Sequence, residues 1–248
     1  GARMSLSSKL SQQIQEIFKA YNQGIVRSEE VRQVLPILDL QQRLSLVPDA
    51  QTFLIESLQT REGFHLFFYP FEGRMVHELL SALLAYRIAQ RLPVSFSMAM
   101  NDYGFELFSD VQLDIEELLE EDLFSLDHLE EDILHCINES ELAKRKFREI
   151  ASIAGLVFQG YPGKPTSFKH IQANSGLLFQ VFEDYEPDNL LLKQARAEVL
   201  NQQMEQELVI EAVRKINRQS LQVRYPSQLT PFSFPILVDR LSRTSLCS

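Results

Sequence analysis

Phe64-His65-Leu66-Phe67-Phe68-Tyr69-Pro70-Phe71-Glu72-Gly73-Arg74 is the stretch on which the fold turns. Its aromatic run is too short and too uniformly apolar for an amphipathic helix, and Pro70 closes it, so it reads as a buried strand. Phe71–Arg74 then turns the chain. Over residues 75–91 the apolar positions Val76, Leu79, Leu80, Leu83 and Leu84 return at helical spacing until Pro93. Beyond it, Val94, Phe96, Met98 and Met100 alternate with smaller residues at the period of a half-buried strand. Asn101-Asp102 supplies turn chemistry, and Tyr103–Phe108 reads as the returning strand. The centre of the chain is therefore a strand–helix–strand–strand unit.

Working outward, residues 11–58 read as short helices, with Ile14, Ile17, Phe18 and Tyr21 on one face and Val31, Val34, Leu35 and Leu38 on another. Pro36 and Pro48 should interrupt them. Residues 113–138 read as acidic helices burying Leu118, Leu119, Leu123, Leu126, Leu129 and Ile133, and 140–158 as a basic helix. After a Gly/Pro loop at 160–165, helices are expected at 167–182 and 188–217. A late strand at 221–225 should then join the sheet, before a tail broken by Pro226, Pro231 and Pro235. The expected fold is α+β: a small, mostly antiparallel sheet packed with several helices. It divides into an N-terminal helical portion (1–60, with Gly1-Ala2-Arg3 as a tag scar) and an α+β region (61–248), forming one unit.

The 248 residues carry a formal charge of −10 from 24 basic and 34 acidic side chains. Residues 92–143 hold 15 Asp/Glu and no Lys/Arg, while residues 144–248 hold 14 basic and 10 acidic residues. An acidic block thus lies between two segments that lean basic, which permits an anionic partner despite the overall sign. No apolar run is long enough to span a membrane, and no secretory signal is recognisable. Two cysteines, Cys136 and Cys247, cannot build a disulfide framework or a four-thiolate zinc site. The default compartment is cytoplasmic.

Gly160-Tyr161-Pro162-Gly163-Lys164 superficially resembles a phosphate loop but has the wrong spacing and is followed by Pro165, so it does not predict a nucleotide site. His128, Glu131, Asp132 and His135 share a helix face that could hold a divalent ion, or could be a solvated acidic surface. No nucleophile–base constellation is present, so no catalytic and no metal-binding residues are assigned. Two candidate anion sites remain. Gly73 opens a helix with Arg74 and His77 in its first turn, where free N–H groups and a guanidinium suit a phosphate; alternatively Arg74 pairs with Glu72 or Glu78. Lys144, Arg145, Lys146 and Arg148, continuing through Lys164 and Lys169, form a basic stretch interleaved with Tyr161 and Phe168. It could neutralise phosphates, or pair with the acidic helices upstream.

Several of these segments together resemble one family. Tyr69-Pro70-Phe71-Glu72-Gly73-Arg74-Met75-Val76-His77-Glu78 with Leu83-Leu84-Ala85-Tyr86-Arg87 is similar to a signature of Lhr-type (large helicase-related) DEXH-box helicases. Ser97–Leu107 resembles its continuation, as do Phe147–Ala151, Gly160–Gly163 and Tyr185–Leu191. The resemblance runs from about residue 30 onward and is strongest to the DNA-ligase-associated branch, in the C-terminal accessory region that follows two motor domains and a winged helix.

What the resemblance implies is part of a bacterial ATP-dependent superfamily 2 translocase that moves 3′-to-5′ on single-stranded DNA in repair. The accessory region would help enclose the strand. It implies no cofactor in this chain, with ATP and Mg needed by the motor domains, whose motifs have no counterpart here, so the chain would not be an enzyme by itself. Implied partners are single-stranded DNA, the motor and winged-helix domains, and a DNA ligase. By motif position, Arg74, His77 and Arg87 fall on the first signature, Asn101, Asp102 and Tyr103 on the hairpin tip, and Arg148 on the helix motif. The competing expectation is an interaction domain that docks on the motor or a ligase through its acidic helices.

Overall fold

The computed structural model describes residues 8–25, 29–139, 147–148, 150–151, 154–156, 160–161, 164–165, 168–186, 188–194 and 203–245. In chain order these form α1 (Ser8–Asn22), α2 (Glu29–Leu44), β1 (Thr52–Gln59), β2 (Phe64–Tyr69), α3 (Arg74–Ala89), β3 (Ser97–Met100), β4 (Phe105–Ser109), α4 (Ile115–Glu120) and α5 (Leu129–Glu139). They continue as β5 (Gly160–Tyr161), β6 (Lys164–Pro165), α6 (Phe168–Tyr185), α7 (Gln203–Arg218), β7 (Ser220–Arg224) and α8 (Ser233–Ser245).

The main sheet has the order β3-β4-β2-β1-β7. Every pairing is antiparallel except that of β7 with β1, which is parallel. The α+β expectation holds, including the late strand. Because side chains alternate across a strand, Phe53, Ile55, Leu66, Phe68, Phe105 and Leu107 face one side, where α3, α4, α5 and α7 cover them. Leu54, Leu58, Phe67, Tyr69 and Ala99 face the other, against Phe18, Leu38, Phe71 and Ile236. A separate cluster joins Phe147, Ile150 and Ala151 to Phe179 and Leu192.

Four expectations are corrected. The segment read as helical over 11–58 ends in β1. Its Phe53-Leu54-Ile55 is buried on both faces, so the run lacks the period of two that marks a half-exposed strand. Pro36 lies inside α2 rather than ending a helix; Leu38 and Gln41, both buried, hold that helix on the sheet despite the lost bond. The tail forms α8. Thr230 and Ser233 cap its start reciprocally: the Ser233 N–H donates to Thr230 Oγ1 (3.1 Å) and the Thr230 N–H to Ser233 Oγ (2.8 Å). Pro231 follows the cap, where a missing N–H costs little. Within the acidic region, Leu126 was expected inside but is exposed.

The second sheet face carries polar groups as well. Glu56 is fully buried and accepts from Tyr69 (2.8 Å), Thr230 (2.9 Å) and Gln41 (2.9 Å). Those donors replace the water that an ionised carboxylate would otherwise lose at a cost of several kcal/mol. Burial, and then the Glu56 charge, push the Tyr69 hydroxyl well above its ordinary pKa. Buried Glu106 sits against His65 and, at 3.2 Å, against Arg240 Nε from α8. Arg240 also lies over the Phe108 ring (4.2 Å) and donates to Glu62 (2.8 Å). These contacts fix α8 on the sheet and so place Asp239 beside the start of α3.

Candidate nucleic-acid interface

The start of α3 and the β3–β4 hairpin tip meet at one end of the sheet. The tip is shaped by Asn101, whose Oδ1 accepts from the N–H groups of Tyr103 and Gly104, each at 2.9 Å. Position 104 needs glycine because a Cβ there would lie 2.4 Å from the Phe68 carbonyl oxygen and 2.7 Å from Tyr69 Cδ1. The tip is tied down by its backbone: the Phe71 N–H donates to the Tyr103 carbonyl (3.1 Å). Phe71 is buried at φ 57°, a conformation that costs a bulky residue of order 1–3 kcal/mol. Its ring lies 6.2 Å from that of Tyr103, which remains 43% exposed.

His77 is the internal fastener. Its Nδ1–H donates to the Asn101 carbonyl (2.7 Å), so Nε2 is the acceptor for the Glu72 N–H (3.0 Å). Burial lowers its pKa to about 4, against weaker opposing effects from Asn101 and Asp102. A neutral, fully buried ring with both nitrogens engaged positions the turn and the tip; it does not face a ligand. That corrects its assignment as a contact residue.

The anion site expected at the start of α3 is lined by carboxylates of this chain. Asp102 Oδ1 accepts from the Arg74 N–H at 3.3 Å, and Asp239 Oδ2 from Arg74 Nη2 at 3.2 Å. Arg74 thus pairs with neither Glu72 nor Glu78. Glu72 instead accepts from Lys215 Nζ of α7 at 2.6 Å. Arg74 keeps 26% of its side chain exposed. Asp239 and Lys215 escaped the sequence reading because they lie more than a hundred residues from their partners, with no local signal.

Other expected residues fall elsewhere. Arg87 is a buried clamp: Nε donates to Asp132 (2.8 Å), and Nη1 to the carbonyls of Leu123 (3.0 Å) and Ser125 (2.8 Å). Arg148 Nε donates to Ser175 Oγ at 3.2 Å. Lys144, Arg145 and Lys146 lie outside the described residues, and for Lys164 in β6 and Lys169 in α6 only the backbone is described. The acidic helices reach α3 through Asp132–Arg87, and the turn that follows α3 through Glu121–Arg91. The proposed metal stripe does not converge: His128 pairs with Glu131, Asp132 turns to Arg87, and His135 stacks on Tyr86. Among the described residues no group of three or more metal-ligating side chains is gathered, and no helix is long and apolar enough to cross a membrane.

Comparison with known proteins gives the family context. The family model described as DEAD/H associated matches residues 47–233. The ATP-dependent helicase Lhr-Core of Methanocaldococcus jannaschii is 24% identical over 233 residues, which is 94% of this chain and 27% of that protein. The ATP-dependent helicase Lhr-Core protein 2 of Thermococcus barophilus is 30% identical over 168 residues, 66% of this chain and 19% of that protein. The solved structure of Mycobacterium smegmatis helicase Lhr bound to ssDNA and AMP-PNP superposes with a TM-score of 0.70 at 22% identity, over 96% of this chain and 32% of that one. The chain therefore spans roughly a fifth to a quarter of these curated relatives.

Proposed function

This chain belongs to the DEAD/H associated family, and from that premise we propose that it is the accessory region of an Lhr-type, ATP-dependent DNA helicase that holds single-stranded DNA without base-specific contacts. The observation that carries the reading is the exposed Tyr103 ring on a hairpin tip braced by Phe71 and His77, with the Arg74 guanidinium at the adjoining helix start. An exposed aromatic ring can stack on an unpaired base of any sequence, and a guanidinium suits the backbone phosphate. The solved Mycobacterium smegmatis structure, bound to ssDNA, supports this by analogy of fold. Lys144, Arg145, Lys146, Arg148, Lys164 and Lys169 are the further cations this reading assigns to the strand. ATP and Mg, DNA repair, the motor and winged-helix partners and a ligase partner belong to the same proposal, through the helicase rather than through any site in this chain.

The test is fluorescence anisotropy with a single-stranded oligonucleotide and its duplex across a salt series. Binding should favour the single strand and weaken linearly in log–log form. Tyr103→Ala should cost about 1–3 kcal/mol of affinity with only a small change in melting temperature, because backbone bonds hold the tip and the ring is covered only in part, by Phe71. Unchanged affinity in that variant would remove the hairpin tip from the contact.

A further inference from the structure

The parallel edge of the sheet is left unfinished. The ladder between β1 and β7 ends at the Glu56–Arg224 pair, yet β1 continues through Ser57, Leu58 and Gln59. Which backbone groups are exposed by this early stop follows from alternation along the strand. The Thr60 N–H donates to the Gly63 carbonyl across the β1–β2 hairpin (2.9 Å), so even-numbered residues of β1 direct their N–H and C=O toward β2. Odd-numbered residues direct theirs toward β7, as Gln51 does when its carbonyl accepts from the Ser220 N–H (2.8 Å). The Ser57 carbonyl and both backbone groups of Gln59 therefore face past the end of β7, the Ser57 N–H being used by the Glu56–Arg224 pairing. The next residue placed to donate back to β1 is Pro226, which has no N–H. Among the described residues, no hydrogen bond reaches the Ser57 carbonyl or either backbone group of Gln59.

This bare edge opens into a cleft of about 750 Å³. Ser57 and Gln59 line it, with the half-buried Phe64 and Leu113 as apolar surface and Tyr225 where the chain departs. Apart from the buried His65, its charged lining residues are Asp114 and Glu117, both acidic and both exposed. Asp114 already accepts from the N–H groups of Glu116 and Glu117, which holds its side chain at the rim.

We propose that this cleft is a strand-addition slot, which takes a short extended peptide segment bearing an apolar side chain and a lysine or arginine. The peptide continues the line of β7. Its backbone pairs with the Ser57 carbonyl and with Gln59, its apolar side chain meets Phe64 and Leu113, and its cation meets Asp114 and Glu117. Strand addition draws affinity from main-chain bonds and specificity from the alternating side chains, and the acidic rim selects a basic segment over a nucleic acid. The slot is distinct from the Tyr103–Arg74 site and does not depend on it.

The probe is the peptide acetyl-Lys-Val-Thr-Val-Lys-amide, titrated to a few millimolar into the isotope-labelled chain and followed by amide chemical shifts. The Gln59 amide and residues 113–117 should shift together. Gln59→Pro removes the outward donor while sparing the β2 ladder, which does not use the Gln59 N–H, and should weaken binding about tenfold, the scale of one backbone hydrogen bond. Glu117→Lys, on an exposed helix position, tests the charge without touching the strand and should also weaken it. Its melting temperature and that of Gln59→Pro report whether the fold survives. Equal binding of the counterpart with both lysines replaced by glutamate would overturn the proposal. So would full affinity in Gln59→Pro, shifts of the same amides by a single-stranded oligonucleotide, or shifts that track chain concentration without peptide.

Discussion

Replacing His77 with leucine should destabilise the protein by an amount that shrinks as the pH falls. At about pH 7 the substitution strips the Asn101 carbonyl and the Glu72 N–H of their partners. An orphaned buried polar group costs roughly 1–3 kcal/mol, so the deficit should be about 2–6 kcal/mol. The pH term comes from the depressed titration of the native ring. Its pKa falls from 6.5 to about 4 on folding, so the unfolded chain binds more protons between these values and native stability drops as the pH is lowered through that window. For such a shift the loss is roughly 2.5 kcal/mol between about pH 7 and pH 4.5. The leucine variant lacks the group and escapes the loss. Urea unfolding of both proteins at the two pH values gives the double difference directly, and shared carboxylates cancel in it. A deficit that stays constant with pH would refute the reasoning, because it would mean that the native ring titrates normally and that the tip is not held by a neutral imidazole. A direct reading of the imidazole resonances should agree, with the ring neutral down to about pH 4.

Two further substitutions probe the scaffold. Arg87→Lys replaces a fork that serves Asp132 and two carbonyls with a single ammonium that cannot serve all of them; denaturant unfolding should show a loss of roughly 2–4 kcal/mol. Gly104→Ala drives a methyl group into the Phe68 carbonyl, which a paired strand cannot move to avoid. It should lower stability by more than about 2 kcal/mol and the melting temperature by more than roughly 4 °C.

How much of this was legible in the sequence depends on how far each determinant lies from what it determines. The hairpin tip was readable because Asn101 shapes it through N–H groups two and three residues away, and the start of α3 because Gly73 at φ 89° adjoins it. The strand β1 was not readable. Its apolar residues serve two faces at once, and its one acid, Glu56, looks like a surface residue until Thr230 and Gln41 are folded over it. The tail shows the same limit: Pro231 reads as a breaker until the reciprocal Thr230–Ser233 cap makes it the start of a helix.

The charge state of the candidate site is the sharpest case. Arg74 and its amide form an open phosphate site when only the neighbouring residues are considered. The answer changes once α8, anchored through Arg240 to buried Glu106, delivers Asp239 to the guanidinium. A nucleic-acid strand that engages Arg74 must therefore displace or share a carboxylate. The contact is thereby weakened by an element that lies almost wholly beyond the matched family region. Tyr103 carries no such competition from a carboxylate, since its backbone is fixed and its ring, against Phe71 on one side, keeps an exposed part. On this argument the aromatic tip should contribute more to affinity than the cation beside it.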